Sequence, residues 1–242
     1  MKKFIKTIIK WLGTSKILSA PRRCVGRILN YYYLNKGMVS ISVNILRAPE
    51  VFDLIKQIKE ETEMFLGDLE AYQIYMTVRK TEKINGDIAE VGVYKGGSAK
   101  LMREATKKPI HLFDTFEGLP DLCENDNPEQ FHKGDYSASF ESIKSYLKNY
   151  PNISFYKGFF PSTAEPVKNK RFSFVHLDVD IYESTLNCLK FFYPRISGGG
   201  IIISHDYPGS KGVKKAFDEF FEDKPEIIIE LFGTRQCLIV KV

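Results

Sequence analysis

The sequence predicts an α/β fold: a mostly parallel sheet with helices on both faces, ending in an antiparallel hairpin and preceded by N-terminal helices. Three observations predict it. From residue 88 onward, short apolar runs rich in β-branched residues alternate with helical patterns, as strand-helix-strand units require. The first unit passes from strand to helix through a glycine cluster at Gly92, Gly96 and Gly97. The last two strand-like runs, 226–231 and 236–242, are separated only by Phe232-Gly-Thr-Arg235, a connection too short for a parallel crossover and right for a hairpin.

Composition narrows the function classes. The chain has 242 residues, 43% hydrophobic and 27% charged, enough for one such domain with an N-terminal extension. Its net charge of +5 comes with basic residues gathered near the N-terminus, so a nucleic-acid-binding face is not predicted. Cys24, Cys123, Cys188 and Cys237 are widely spaced, with no C-x-x-C pair. That excludes a disulfide framework or a cysteine zinc site and suits a reducing, cytoplasmic compartment.

Three segments are expected: a basic amphipathic extension over 1–48, a helical cap over 49–83, and the ligand-binding domain over 84–242. Residues 2–12 place Phe4, Ile5, Ile8, Ile9, Trp11 and Leu12 on one helical face and Lys3, Lys6 and Lys10 on the other. Lysines interrupt every apolar run, so neither a cleavable signal peptide nor a membrane span is predicted. Such a helix either docks peripherally on an anionic inner membrane leaflet or packs on the domain or a sister subunit. Residues 21–35, with Tyr31-Tyr32-Tyr33, read as a second helix or a substrate-facing segment. Pro49 opens a helix marked by Val51, Leu54, Ile55 and Ile58, and another helix covers 69–79.

The first strand of the domain is read over 88–93, and Gly96-Gly97-Ser98 opens the following helix. Glycines at 92, 96 and 97 permit a sharp bend and close approach of a ligand, and the helix start offers free N–H groups. Glu90, at the strand end, suits a polar or cationic part of that ligand. The E-x-G-x-x-x-G-G-S spacing departs from the G-x-G-x-x-G of dinucleotide folds. The candidate cofactor cradle is therefore Glu90, Gly92, Tyr94, Gly96, Gly97 and Ser98.

The second strand, 110–114, ends in Asp114, roughly twenty residues past the turn, where a carboxylate takes both hydroxyls of a ribose. Phe116 follows it. The polar connection over 115–133 is expected to be a lid or disordered. Gly134-Asp-Tyr-Ser-Ala-Ser139 then leads into a helix over 140–147, and Asp135 or Ser137 is placed to reach an adenine edge. Strands over 153–156, 172–180 and 200–206 alternate with helices over 185–192 and 213–221.

Chemistry gathers on the fourth and fifth strands. Val175-His-Leu-Asp178-Val-Asp180 sets two carboxylates at i and i+2, on the same side of a strand as it leaves the sheet. Ile201-Ile-Ile-Ser-His205-Asp206 brings an imidazole and a carboxylate to the end of its neighbour. Ligands of open α/β sheets bind beyond the carboxyl ends of the strands, so these groups and the glycine turn converge on one crevice. Oxygen donors with one imidazole suit Mg²⁺ or Mn²⁺, with Asp178, His205 and Asp206 as metal ligands. The plainer reading makes Asp180 and Asp206 helix and turn caps and leaves Asp178 and His205 as satisfied core groups.

The glycine turn resembles the first motif of class I S-adenosylmethionine-dependent methyltransferases. Phe113-Asp-Thr-Phe-Glu-Gly-Leu-Pro120, Gly134-Asp-Tyr-Ser-Ala-Ser139, Tyr156-Lys-Gly-Phe-Phe160, Leu177-Asp-Val-Asp-Ile-Tyr-Glu-Ser-Thr185 and His205-Asp-Tyr207 are similar to successive motifs of the macrocin O-methyltransferase family, from about residue 82 onward. The resemblance implies a Rossmann-like methyltransferase sheet that binds S-adenosyl-L-methionine, with a small hydroxylated acceptor, a sugar. It implies association into homo-oligomers through N-terminal helices. Asp178 and Asp206 match its Mg²⁺ ligands, and Asp180 its general base; Asp178 and His205 complete the catalytic group. The chain departs at His205, where the antibiotic-pathway enzymes carry a further Asp.

Other classes compete. Asp178-Val-Asp180 also resembles the D-x-D that holds Mn²⁺ and a nucleotide-sugar in glycosyltransferases. A dehydrogenase lacks support, since the turn has no close G-x-G pair. A non-catalytic, membrane-docked binding protein need not have kept Glu90, Asp114, Asp178, Asp180 and Asp206.

Overall fold

The computed structural model describes residues 48–242. The expectations for residues 2–12 and 21–35, and Cys24, lie outside them. Helix α1 (Pro49–Glu61) and helix α2 (Asp68–Lys80) precede strand β1 (Asp87–Val91). Then follow α3 (Gly97–Ala105), β2 (Ile110–Asp114), α4 (Phe140–Tyr146), β3 (Ile153–Lys157), β4 (Phe172–Leu177), α5 (Tyr182–Phe192) and β5 (Ile196–Ser204). The chain ends with α6 (Lys211–Phe221), β6 (Ile229–Glu230) and β7 (Cys237–Val240).

The seven strands form one sheet in the order β3-β2-β1-β4-β5-β7-β6. The first five run parallel, and β7 is antiparallel to both β5 and β6. The expected parallel sheet with a terminal hairpin is therefore what folds. Strand order reverses between β1 and β4, and the crevice for a ligand in such sheets opens at that switch point. β4 is buried at all six residues, as expected of a parallel strand covered on both faces, and its two polar side chains, Ser173 and His176, are bonded to Gly86 O and Glu90. Phe113, Phe172, Phe174, Phe192 and Phe217 are fully buried, and the Phe192 ring of α5 meets those of Phe113 and Phe172 in the sheet edge-on.

The helical cap joins the domain through charge. Lys100, 5% exposed on α3, pairs with Glu61 at the end of α1. The Tyr146 hydroxyl and Gln57 amide donate to the same carboxylate at 2.9 and 2.8 Å. Glu61 is held down to about 2, chiefly by Lys100.

Three expectations are corrected. β4 stops at Leu177, so Asp178 and Asp180 do not share a strand face: Asp180 has φ +61, a left-handed backbone that turns the chain into α5. The helix cap read at Asp180 is held by Ile181 instead, whereas Asp206 does precede a turn, its carbonyl accepting Gly209 N–H at 3.0 Å. β6 is only Ile229–Glu230, since a hairpin at a sheet edge pairs only near its turn.

Of the two expectations for the connection after β2, disorder does not hold. Leu119 N–H donates to Asp135 O, and Gly134 N–H to Leu119 O, both at 2.9 Å, so its ends are stapled together. Leu119 and Phe131 pack with Ile181, and buried Asp126 accepts the N–H groups of Tyr182 (2.7 Å) and Cys123 (3.0 Å). Its polar composition hides these few anchors. Cys123, Cys188 and Cys237 are free, and among the described residues no helix is long and apolar enough to cross a membrane.

Candidate active site

The turn after β1 is built by backbone constraints. Gly92 has φ +87, and a Cβ there would lie 1.8 Å from the Asp178 carbonyl oxygen. Its glycine is thus required by the chain leaving β4. Gly96, φ 81, is the left-handed residue that opens α3. Asp114 Oδ2 accepts the N–H groups of Val93 (2.6 Å) and Tyr94 (3.0 Å), and Oδ1 accepts Phe116 N–H at 2.6 Å. One carboxylate at the end of β2 therefore fixes the shape of the turn after β1. Burial pushes its pKa up, and these three N–H groups oppose the rise.

A cavity of about 440 Å³ opens at the carboxyl ends of β1 and β4. Of the residues expected from the sequence, Gly92, Tyr94, Gly97, Ser98, Asp114 and Asp135 line one side. Asp178, Asp180, His205 and Asp206 line the other. The volume suits a drug-sized ligand. Four expected residues lie elsewhere. Glu90 is fully buried and bonds His176 Nδ1 at 2.9 Å across β1 and β4; desolvation raises its pKa. Gly96 stands behind the wall, against Ile143. Phe116 packs its ring on Phe140 at 4.9 Å, and Ser137 is exposed outside the cavity.

The acidic end of the cavity is tightly knit. Asp178, His205 and Asp206 each offer one ligand atom within 4.8 Å of the others. His205 Nδ1 lies 3.2 Å from Asp178 Oδ1 and 3.0 Å from Asp206 Oδ2. Burial would lower the imidazole pKa, but Asp178, Asp206 and Glu70 outweigh it and hold it well up. Burial likewise opposes the fall at Asp178, whose pKa the His205 charge brings down. Asp180 goes the other way: burial and the charges of Asp178 and Asp206 push it well above the ordinary carboxylate range. Asp180 and Asp206 both sit at positive φ, +61 and +59, a strained conformation typical of functional positions. Two carboxyl groups a few residues apart are thus driven to opposite protonation preferences, as acid/base sites require.

Other residues in the site were missed. Glu70, near the start of α2 and 8% exposed, accepts Gly67 N–H at 2.6 Å and Arg235 N–H at 2.8 Å. Arg235, in the hairpin turn, lines the cavity and places Nη2 2.6 Å from Asp206 Oδ1. At the mouth, Phe65 stacks on Tyr94 at 5.3 Å and meets Tyr136 edge-on at 5.8 Å. Only the apolar ring of Phe65 in a polar loop, 61% exposed, offered a sequence signal for any of these.

With this geometry in hand, comparison with known proteins is specific. The family model described as Macrocin-O-methyltransferase (TylF) matches residues 67–231. Demethyldecarbamoylnovobiocin O-methyltransferase of Streptomyces niveus is 29% identical over 153 residues, 57% of this chain and 58% of that protein. The 8-demethyl-8-(2,3-dimethoxy-alpha-L-rhamnosyl)-tetracenomycin-C 4'-O-methyltransferase of Streptomyces olivaceus is 28% identical over 162 residues, 60% of this chain and 62% of that protein. The chain thus spans less than two thirds of the length of these relatives. Among solved structures, that of the O-methyltransferase NovP superposes with TM-score 0.63 at 25% identity, over 73% of this chain and 81% of that one.

Proposed function

The chain belongs to the macrocin O-methyltransferase family, and on that premise we propose that it transfers a methyl group from S-adenosylmethionine to a hydroxyl of a sugar or glycosylated small molecule. The observation that carries the reading is convergence: the glycine turn, Asp114 and the Asp178/Asp180/His205/Asp206 cluster line one cavity at the switch point of the sheet. A D-x-D glycosyltransferase gains nothing from that arrangement, since Asp178 and Asp180 stand on a turn that feeds the methyltransferase-type crevice.

The donor, when bound, supplies an electrophilic methyl on a sulfonium. Ser98 and the N–H groups opening α3 suit its carboxylate, and Asp114, with one oxygen lone pair still open, suits its ribose. Asp180 is the base. Its raised pKa brings it toward the range in which a carboxylate accepts a proton efficiently. The acceptor O–H proton goes to Asp180 as the oxygen forms its bond to carbon, and the carbon–sulfur bond breaks with its electrons left on sulfur. Holding the two reactants near attack distance supplies much of the remaining acceleration.

The donor set also fits a divalent ion. The 3.0 and 3.2 Å separations from His205 Nδ1 gather one imidazole nitrogen and two carboxylate oxygens at one point, as ligand atoms that share an ion must be. Asp178, His205 and Asp206 would hold it, and His205 would give up its proton to do so. When bound, such an ion stabilises negative charge developing on an acceptor oxygen.

Incubation with S-adenosylmethionine and a panel of rhamnosides, read by mass spectrometry, tests the activity: a methyl ether of the sugar is the expected product. The reading also includes peripheral membrane contact through residues 2–12, tested by sedimentation with anionic vesicles, and homo-oligomerisation, tested by analytical ultracentrifugation.

A further inference from the structure

His205 has two ring nitrogens with different surroundings. Nδ1 faces the two carboxylates, 3.2 Å from Asp178 and 3.0 Å from Asp206. Nε2 faces Glu70 Oε2 at 3.4 Å without closing a hydrogen bond, so a small rotation of the ring would bring the two together. Glu70 is itself immobilised. Its carboxylate takes the N–H of Gly67 at 2.6 Å and that of Arg235 at 2.8 Å, so it ties the start of α2 to the hairpin turn 165 residues away. Imidazole ligands are oriented in this way: a carboxylate takes the N–H of one ring nitrogen, and the lone pair of the other points at the ion.

We propose that Glu70 is the positioning residue of His205, and that the pair makes this cavity select a first-row transition-metal ion over an alkaline-earth one, with Mn²⁺ ahead of Mg²⁺. The location of the ion rests on the proposed methyltransferase site; the selectivity rests on this chain's own residues. Mg²⁺ demands oxygen ligands in near-ideal octahedral geometry, whereas imidazole suits the later first-row ions. A nitrogen held at this site by a fixed outer carboxylate lowers the fit for Mg²⁺ and leaves that for Mn²⁺. Arg235 completes the arrangement, since its contact with Asp206 Oδ1 leaves Oδ2 facing the imidazole.

The test uses the metals alone on the full chain, with S-adenosylhomocysteine titrated in parallel. Calorimetry is expected to give Mn²⁺ at least ten times tighter than Mg²⁺, and pulsed EPR of bound Mn²⁺ to show ¹⁴N modulation from one imidazole. Glu70→Gln weakens Mn²⁺ by about 10- to 100-fold with homocysteine-nucleoside affinity kept. His205→Asp narrows the preference and removes the modulation, and it reads the proposal even where Glu70→Gln fails to fold. Equal Mg²⁺ and Mn²⁺ affinity, bound Mn²⁺ without ¹⁴N modulation, or no binding of either ion overturns the proposal. If S-adenosylhomocysteine still binds, the methyltransferase reading stands without it; failure of that ligand alone overturns the reading and not the metal selectivity.

Discussion

A Cβ placed on Gly92 would stand 1.8 Å from the carbonyl oxygen of Asp178. The two residues belong to the turns after β1 and β4, and the Asp178 N–H donates to Val91 O at 2.9 Å, so neither turn can retreat. Gly92→Ala is therefore expected to cost more than about 3 kcal/mol, from backbone overlap and an unfavourable φ together. Urea unfolding measures it. A variant of native stability would show that the turns part freely.

Asp114 shapes the turn after β1 through three N–H acceptances. Asp114→Asn puts an amide donor among N–H donors and is expected to cost about 1–3 kcal/mol. It should also weaken S-adenosylhomocysteine by at least tenfold, measured by calorimetry, because the turn and the ribose ligand are lost together.

Asp180→Asn is expected to bind S-adenosylhomocysteine within about twofold of wild type and to lose at least about 100-fold in turnover. Because burial and its acidic neighbours raise the Asp180 pKa, its active, ionised form is gained as pH rises. The acid limb of the wild-type rate profile should therefore lie above the ordinary aspartate range near 4. A limb at or below that range would remove Asp180 from the role of base.

Glu61 gives the stability profile a sign. Its folded pKa of about 2 lies below the usual 4.5, with Lys100 the first cause. Its contribution is present above pH 4.5 and is lost as pH falls from there toward about 2. Partial exposure screens the pair, so Glu61→Gln should cost about 1 kcal/mol at pH 7. Denaturant midpoints of variant and wild type should draw together as pH falls from 4.5 and converge near pH 2.

The parallel order and the hairpin were legible because apolar runs and connection lengths are local properties of the chain. The acidic cluster was legible for a related reason: Asp178, Asp180, His205 and Asp206 close two strands that the topology makes neighbours. Glu90 misled, since a charged residue at a strand end reads as facing a ligand. Its partner is fixed by the register of β1 on β4, where Glu90 stands opposite His176, and register is not printed in composition. Glu70 and Arg235 escaped altogether. They meet across 165 residues, and neither sits in a pattern that marks it. Gly92 was found for only part of its reason: ligand approach was readable, the Asp178 carbonyl was not.

The most direct test of the proposed activity is calorimetric titration with S-adenosylhomocysteine, with UDP as the comparison ligand. One-to-one binding of the homocysteine nucleoside, and none of UDP, is the predicted result. Binding of UDP without S-adenosylhomocysteine would contradict it and return the Asp178-Val-Asp180 turn to a nucleotide-sugar.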